Sequence, residues 1–81
     1  MIYVYSAEWC GPCKALKSAL EKDGLLNKVT IIDIDDPRNG KPITNITAVP
    51  TTIQLDKHGT IKEKIVGANL SKIKILIEND I

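Results

Sequence analysis

The sequence predicts an α/β domain of element order β-α-β-α-β-β-α, a four-stranded mixed sheet of order 2-1-3-4 flanked by three helices, spanning residues 1–81 as one unit. Two observations carry this. The first two β-prone runs are separated by a helical pattern, which joins parallel strands through a right-handed crossover. The last two are separated only by Lys57-His58-Gly59, which makes a hairpin that extends the sheet antiparallel.

Taken in order, Ile2–Tyr5 is a short continuous apolar and aromatic run, the pattern of a buried strand. A helical pattern follows the segment Ser6–Cys10 and runs to about Asp23. Cys13, Leu16 and Leu20, with Ala19, fall on its inner face, and Lys14, Lys17, Ser18, Glu21 and Lys22 on its wet face. Gly24 is placed to end that helix with positive φ. Val29–Ile34 carries isoleucine on both faces and reads as a central strand of parallel type. Asp35–Gly40 is turn chemistry, and a short helix is expected around Lys41–Thr47, with Pro42 near its start. Thr51–Asp56 and Thr60–Val66 form the hairpin. The last helix, Leu70–Asn79, buries Leu70, Ile73, Leu76 and Ile77, with Asn69 or Ser71 as N-cap. The first and last helices are expected on one face of the sheet and the short one on the other.

Composition narrows the function. An 81-residue chain is small, and such chains often need disulfides or a structural metal. The two cysteines are separated by only two residues, so a bond between them closes a tiny loop and restricts the unfolded chain very little. With 43% hydrophobic residues, burial carries the stability instead, and the cysteines are free for chemistry. A net charge of +1 with interspersed signs argues against nucleic-acid binding, and no apolar run reaches the length of a membrane span. The N-terminus has no export signal, so the expected location is cytoplasmic, a reducing compartment that suits a single close pair of thiols.

That pair sits in Trp9-Cys10-Gly11-Pro12-Cys13, where a strand ends and a helix begins. Cys10 at the helix N-terminus meets unpaired backbone N–H groups and the positive end of the helix dipole, both of which favour thiolate. Gly11 leaves the sulfur uncrowded, and Pro12 sits in the first turn, where its missing N–H costs nothing. Cys13, one turn inward, can share its S–H with the Cys10 thiolate and then attack a mixed disulfide. A free thiol is only about 3% ionised at pH 7; lowering its pKa by roughly 1.5 units ionises about half of it, for ~2 kcal/mol of differential stabilisation. No cofactor is needed for that, beyond the Cys10–Cys13 disulfide itself. A zinc half-site, a cluster shared between chains and an inert core pair are the competing readings of Cys-x-x-Cys. Zinc normally takes four ligands, and the chain offers two cysteines and His58 in a hairpin turn, so no metal is expected. Lys14 reads as a solvated helix residue that could also lend positive potential, and Trp9 as contact surface beside the nucleophile.

Ala7-Glu8-Trp9-Cys10-Gly11-Pro12-Cys13-Lys14 resembles the thioredoxin active-site stretch nearly residue for residue. Val49-Pro50-Thr51 is similar to the loop that in that family carries a cis-proline facing the sulfurs. Gly67-Ala68 with Leu70-Ser71-Lys72 is similar to the turn before the family's last helix. The resemblance runs from Ile2 onward and implies the minimal thioredoxin fold. Read without it, Pro50 is either cis or an ordinary trans proline at a strand start. A cis bond would expose the Val49 backbone for pairing with a substrate strand. The resemblance implies Cys10 and Cys13 as catalytic residues, Trp9, Gly11, Pro12 and Pro50 as their support, and a binding surface of Trp9, Ala48, Val49, Pro50, Gly67 and Ala68.

Departures are equally legible. Typical thioredoxins have a further strand and helix before the one matched by Ile2–Tyr5. Their buried acid beneath the resolving cysteine matches Val4 here, and the lysine that partners it matches Ile31. Loss of both together fits an ion pair in which neither charge is tolerated alone. The usual general base for Cys13 is then missing, leaving water or a departing thiolate. Ser6 stands where a tryptophan is common.

The function this implies is protein-disulfide reduction by dithiol–disulfide exchange, as part of electron transport and cell redox homeostasis. The expected partners are a thioredoxin-reductase-like electron donor and disulfide-containing clients, ribonucleotide reductase among them, with no nucleic acid or membrane partner and a monomeric chain. A glutaredoxin-type, glutathione-dependent reductase is the alternative suggested by size. The Gly-Pro dipeptide and the absence of acids at Gly67-Ala68-Asn69 point away from it. A redox-independent binding subunit using the same apolar ring is the second alternative.

Overall fold

The computed structural model describes residues 1–42 and 44–80. Its elements are β1 (Ile2–Ser6), α1 (Gly11–Lys22), β2 (Thr30–Asp33), β3 (Thr51–Leu55), β4 (Ile61–Val66) and α2 (Leu70–Asn79), with 3-10 turns at Leu26–Lys28 and Pro37–Asn39. They form one four-stranded sheet in the order β2-β1-β3-β4. β1 and β2 run parallel, with Val4 opposite Ile31 and Ser6 opposite Asp33. β3 runs antiparallel to both β1 and β4.

Both α-helices cover the same side of this sheet. Leu16 and Leu20 from α1, and Ile73, Leu76 and Ile77 from α2, close over Ile2, Val4 and Ile65. Burial of a side chain of this size stabilises by roughly 1.5–3 kcal/mol, so this layer is the main source of stability. At its far end α1 closes with a Schellman turn. The Leu25 amide donates to the Leu20 carbonyl at 2.8 Å and the Gly24 amide to Glu21 at 3.1 Å, with Gly24 at φ 70°. The Asn69 side chain caps α2, accepting the Lys72 amide at 3.2 Å.

Two expectations are corrected. The helix around Lys41–Thr47 does not form in the described part of that segment, and Ile43 lies outside the described residues. Pro42 and the β-branched Thr44, Ile46 and Thr47 are poor helix formers. Asp36 and Pro37 start a short 3-10 turn upstream instead, with Asp36 accepting the Arg38 amide. The sheet therefore has two α-helices on one side. Its other side, Tyr5, Ile53 and Leu55, is covered by the irregular chain around Ile46. The second correction concerns β2, which lies at the sheet edge and is only half-buried, whereas every residue of β3 is buried. Its isoleucines are accounted for by packing on both faces, Ile31 towards the helices and Ile32 towards the loop.

β4 forms the opposite edge, and only Ile65 of its six residues is buried. Asp80, the C-cap of α2, accepts the Met1 ammonium at 2.9 Å and the Gln54 amide at 3.1 Å. The hydrogen bond from the Met1 ammonium is the main reason its carboxyl is held below the ordinary value.

Two stability predictions follow from this packing. Val4→Asp places a carboxylate opposite Ile31 with no cation in register and should cost about 3 kcal/mol in urea unfolding; a change under about 1 kcal/mol would show that the layer admits charge or water. Asp80→Asn should cost about 0.5–1 kcal/mol near pH 7. A depressed carboxyl stabilises above its unfolded pKa, and that contribution is lost as pH falls through the lower folded value. The gap between variant and parent should therefore close in acid, and a gap that persists below pH ~2 would rule out the ion pair as its source.

Candidate active site

The end of β1 delivers the chain into a turn at Glu8 and Trp9, closed by the Cys10 amide donating to Ala7 at 3.1 Å. Cys10 is the N-cap of α1, with extended backbone at φ −90° and ψ 109°. Its sulfur takes the place of the usual Ser or Asp oxygen, accepting the Cys13 amide at 3.2 Å. Pro12 occupies the first turn, where no amide is missed. Cys10 and Cys13 are joined as a disulfide, with Cα atoms 5.3 Å apart.

Cys10 and Cys13 are equally buried, each 5% exposed as a residue, so burial does not distinguish them. Their surroundings do. The Cys10 sulfur lies 3.6 Å from the Val49 carbonyl oxygen and at the positive end of α1. Cys13 faces a cleft between α1 and the ends of β1 and β2. Ala7 packs with both cysteines, and Ile34 and Val49 close over them.

The Val49–Pro50 peptide is cis. Pro50 is buried, and its carbonyl accepts the Gly67 amide at 2.8 Å, which brings the Gly67-Ala68 turn beside the Ala48-Val49 loop. The Thr51 hydroxyl donates to the Ala48 carbonyl at 2.7 Å and fixes the loop from the other side. Of the expected binding surface, Trp9, Ala48 and Ala68 are exposed, Val49 and Gly67 are half-buried, and the Pro50 ring faces inward. A Cβ on Gly11 would meet no protein atom within 4 Å. The room this glycine leaves is therefore on the solvent side. Lys14 is exposed on α1, as expected of a solvated helix residue.

Trp9 is 69% exposed, yet it is held: its indole N–H donates to Asp35 Oδ2 at 2.6 Å. Asp35 was not foreseen as a site residue, because in sequence it reads only as part of a turn-forming cluster. The signal was its place immediately beyond the second strand, whose parallel pairing brings that end to the end of β1. Asp33 belongs with it, since its Oδ1 accepts the Asp35 amide at 2.9 Å and its carbonyl accepts the Asn39 side-chain amide at 3.0 Å. Among the described residues no three His, Cys, Asp or Glu side chains come together to hold a metal. His58 lies in the β3–β4 turn, its amide donating to Asp56 at 2.8 Å.

The family model described as Thioredoxin matches residues 1–79. The chain is 37% identical over 82 residues to mitochondrial thioredoxin O1 of Arabidopsis thaliana, covering 95% of this chain and 42% of that protein. It thus spans less than half of the plant protein. Against thioredoxin 1 of Plasmodium falciparum it is 36% identical over 81 residues, covering 96% of this chain and 77% of that one. The structure is similar to that of reduced Schistosoma mansoni thioredoxin pre-protein, with a TM-score of 0.74 at 28% identity, covering 99% of this chain and 77% of that one. A match that runs through the paired cysteines and the loops around them makes this chain a member of the thioredoxin family, whose chemistry is thiol–disulfide exchange.

Proposed function

We propose that this chain reduces disulfides in other proteins, with Cys10 as nucleophile and Cys13 as resolving thiol, and is itself re-reduced by a thioredoxin-reductase-like donor. The observation that carries the reading is the Cys10 sulfur at the start of α1, bonded by the Cys13 amide and lying against Val49. In the reduced protein, the amide and the helix end favour negative charge on that sulfur. The Cys10 thiolate attacks a client disulfide, one client sulfur leaves, and a Cys10–client mixed disulfide remains. Cys13 then attacks the Cys10 sulfur, so that the Cys10–Cys13 bond forms and the second client thiol leaves. Two electrons pass to the client, and the donor restores the dithiol.

The rim of Trp9, Ala48, Val49, Gly67 and Ala68 is the surface a client segment would meet, with the Val49 backbone available to an extended strand. No acid at Gly67-Ala68-Asn69 offers a partner for the glutathione amine, which favours a protein donor over glutathione. A monomer working in the cytoplasm, within electron transport and redox homeostasis and with ribonucleotide reductase among its clients, suits a chain with one thiol pair and no structural disulfide. Described residues include no helix long and apolar enough to cross a membrane. Since several matched relatives are mitochondrial, cell fractionation is the measurement that separates the compartments.

Insulin reduction should proceed with thioredoxin reductase and NADPH and be at least tenfold slower with glutathione and glutathione reductase; the reverse preference would reassign the donor. Cys13→Ser should accumulate clients as stable mixed disulfides on non-reducing gels, whereas Cys10→Ser should not. Equal trapping by the two variants would overturn the assigned roles. A Cys10→Ser, Cys13→Ser double variant that keeps full biological activity would instead favour a binding subunit.

A further inference from the structure

For Cys13 to attack the mixed disulfide, its thiol must first lose a proton, and Cys13 is buried. The positions that the family resemblance matches to a buried acid and its lysine offer no base: Val4 and Ile31, opposite one another in the parallel register, are both aliphatic. Side chains on a strand alternate between faces, so the next pair on the same face as Val4 and Ile31 is Ser6 and Asp33, about 6.6 Å further along the strands. That face is the one α1 covers. The same residues line a cleft of about 210 Å³ that reaches Cys13, and Lys14 and Lys17 line its α1 side. Its surface is mainly apolar, but the Ser6 hydroxyl and the Asp33 carboxylate give a water two polar partners there, and the cleft is large enough to hold one.

We propose that Asp33 is a positioning residue for the second half of the exchange, holding the cleft water through which Cys13 loses its proton. This rests on the exchange reading above. Asp33 is not the final acceptor of that proton. It orients the water that passes the proton on to bulk solvent and its buffer bases. The Cys13 thiolate forms its bond to the Cys10 sulfur, the Cys10–client bond breaks, the electron pair leaves on the client sulfur, and solvent returns a proton to that thiolate. Asp33 is fixed for this task at one oxygen: Oδ1 accepts the Asp35 amide, while Oδ2 has no protein partner among the described residues and is left for water. The charged groups facing the cleft are Asp33 from β2, Lys14 and Lys17 from α1, and Glu8 from the preceding turn. Glu8 is exposed, with no side-chain hydrogen bond among the described residues to orient it. Asp35 is engaged by Trp9, and Asp36 by Arg38.

The test is stopped-flow reaction of the reduced protein with a chromogenic aromatic disulfide, whose two thiols are released in sequence, the first by Cys10 and the second by Cys13. Asp33→Asn keeps an acceptor for the Asp35 amide, and circular dichroism checks its fold. It should leave the first phase unchanged and slow the second on the order of tenfold near pH 7, less than the 10²–10⁴ of direct general-base catalysis. The difference should close at alkaline pH, where hydroxide takes the proton. Asp33→Glu should restore part of the rate, and Glu8→Gln should leave it unchanged. A second phase with the same rate and pH profile in Asp33→Asn as in the parent would overturn the proposal, as would equal slowing of both phases or equal slowing by Glu8→Gln. Absence of the first phase in the parent protein would instead defeat the exchange reading itself.

Discussion

The bond from the Cys13 amide to the Cys10 sulfur fastens the chemistry of this protein to its backbone. A helix start must satisfy its free amides, and here the reacting atom satisfies one of them. The sulfur is therefore positioned by whatever positions α1. That helix is pinned at its other end by the Schellman turn at Gly24 and along its length by Leu16 and Leu20 against β1. Reactivity is thus set by rigid secondary structure, and the surrounding loops supply only shape and contacts.

The interior next to the site is apolar. Val4 and Ile31 meet in register across β1 and β2, so the two positions that the resemblance matches to an acid and a base are direct neighbours, and both are aliphatic. Such a pair packs without the desolvation cost that a buried ion pair carries. The nearest carboxylate on that face of β2 is Asp33, two residues beyond Ile31, where it is half-buried and water can hydrate it.

Much of this was legible in the sequence. All four strands were found within one or two residues, and α2 was bounded at Leu70 and Asn79. Strong periodicity and punctuation by glycine explain that success. The Cys10–Cys13 motif was legible because spacing and neighbours specify it locally. What escaped was decided by tertiary contact. The chain around Ile46 covers the Tyr5–Ile53 face without becoming a helix, and its apolar residues alone do not distinguish the two outcomes. Asp35 reads in sequence as a turn residue and Asp33 as one more strand residue, because their roles arise only when parallel pairing brings the end of β2 beside the end of β1.

The outer strand β4 has a further consequence for self-association. A free sheet margin offers unpaired backbone groups to any other strand, including that of a second copy. Along β4 the outward residues include Lys62, Glu63 and Lys64 in succession. Two such margins brought together antiparallel about Glu63 would set lysine beside lysine and glutamate beside glutamate, with like charges meeting at each step. Growth of the sheet by copies of itself in that register is opposed by charge, while an acidic extended segment would meet no such barrier at the lysines.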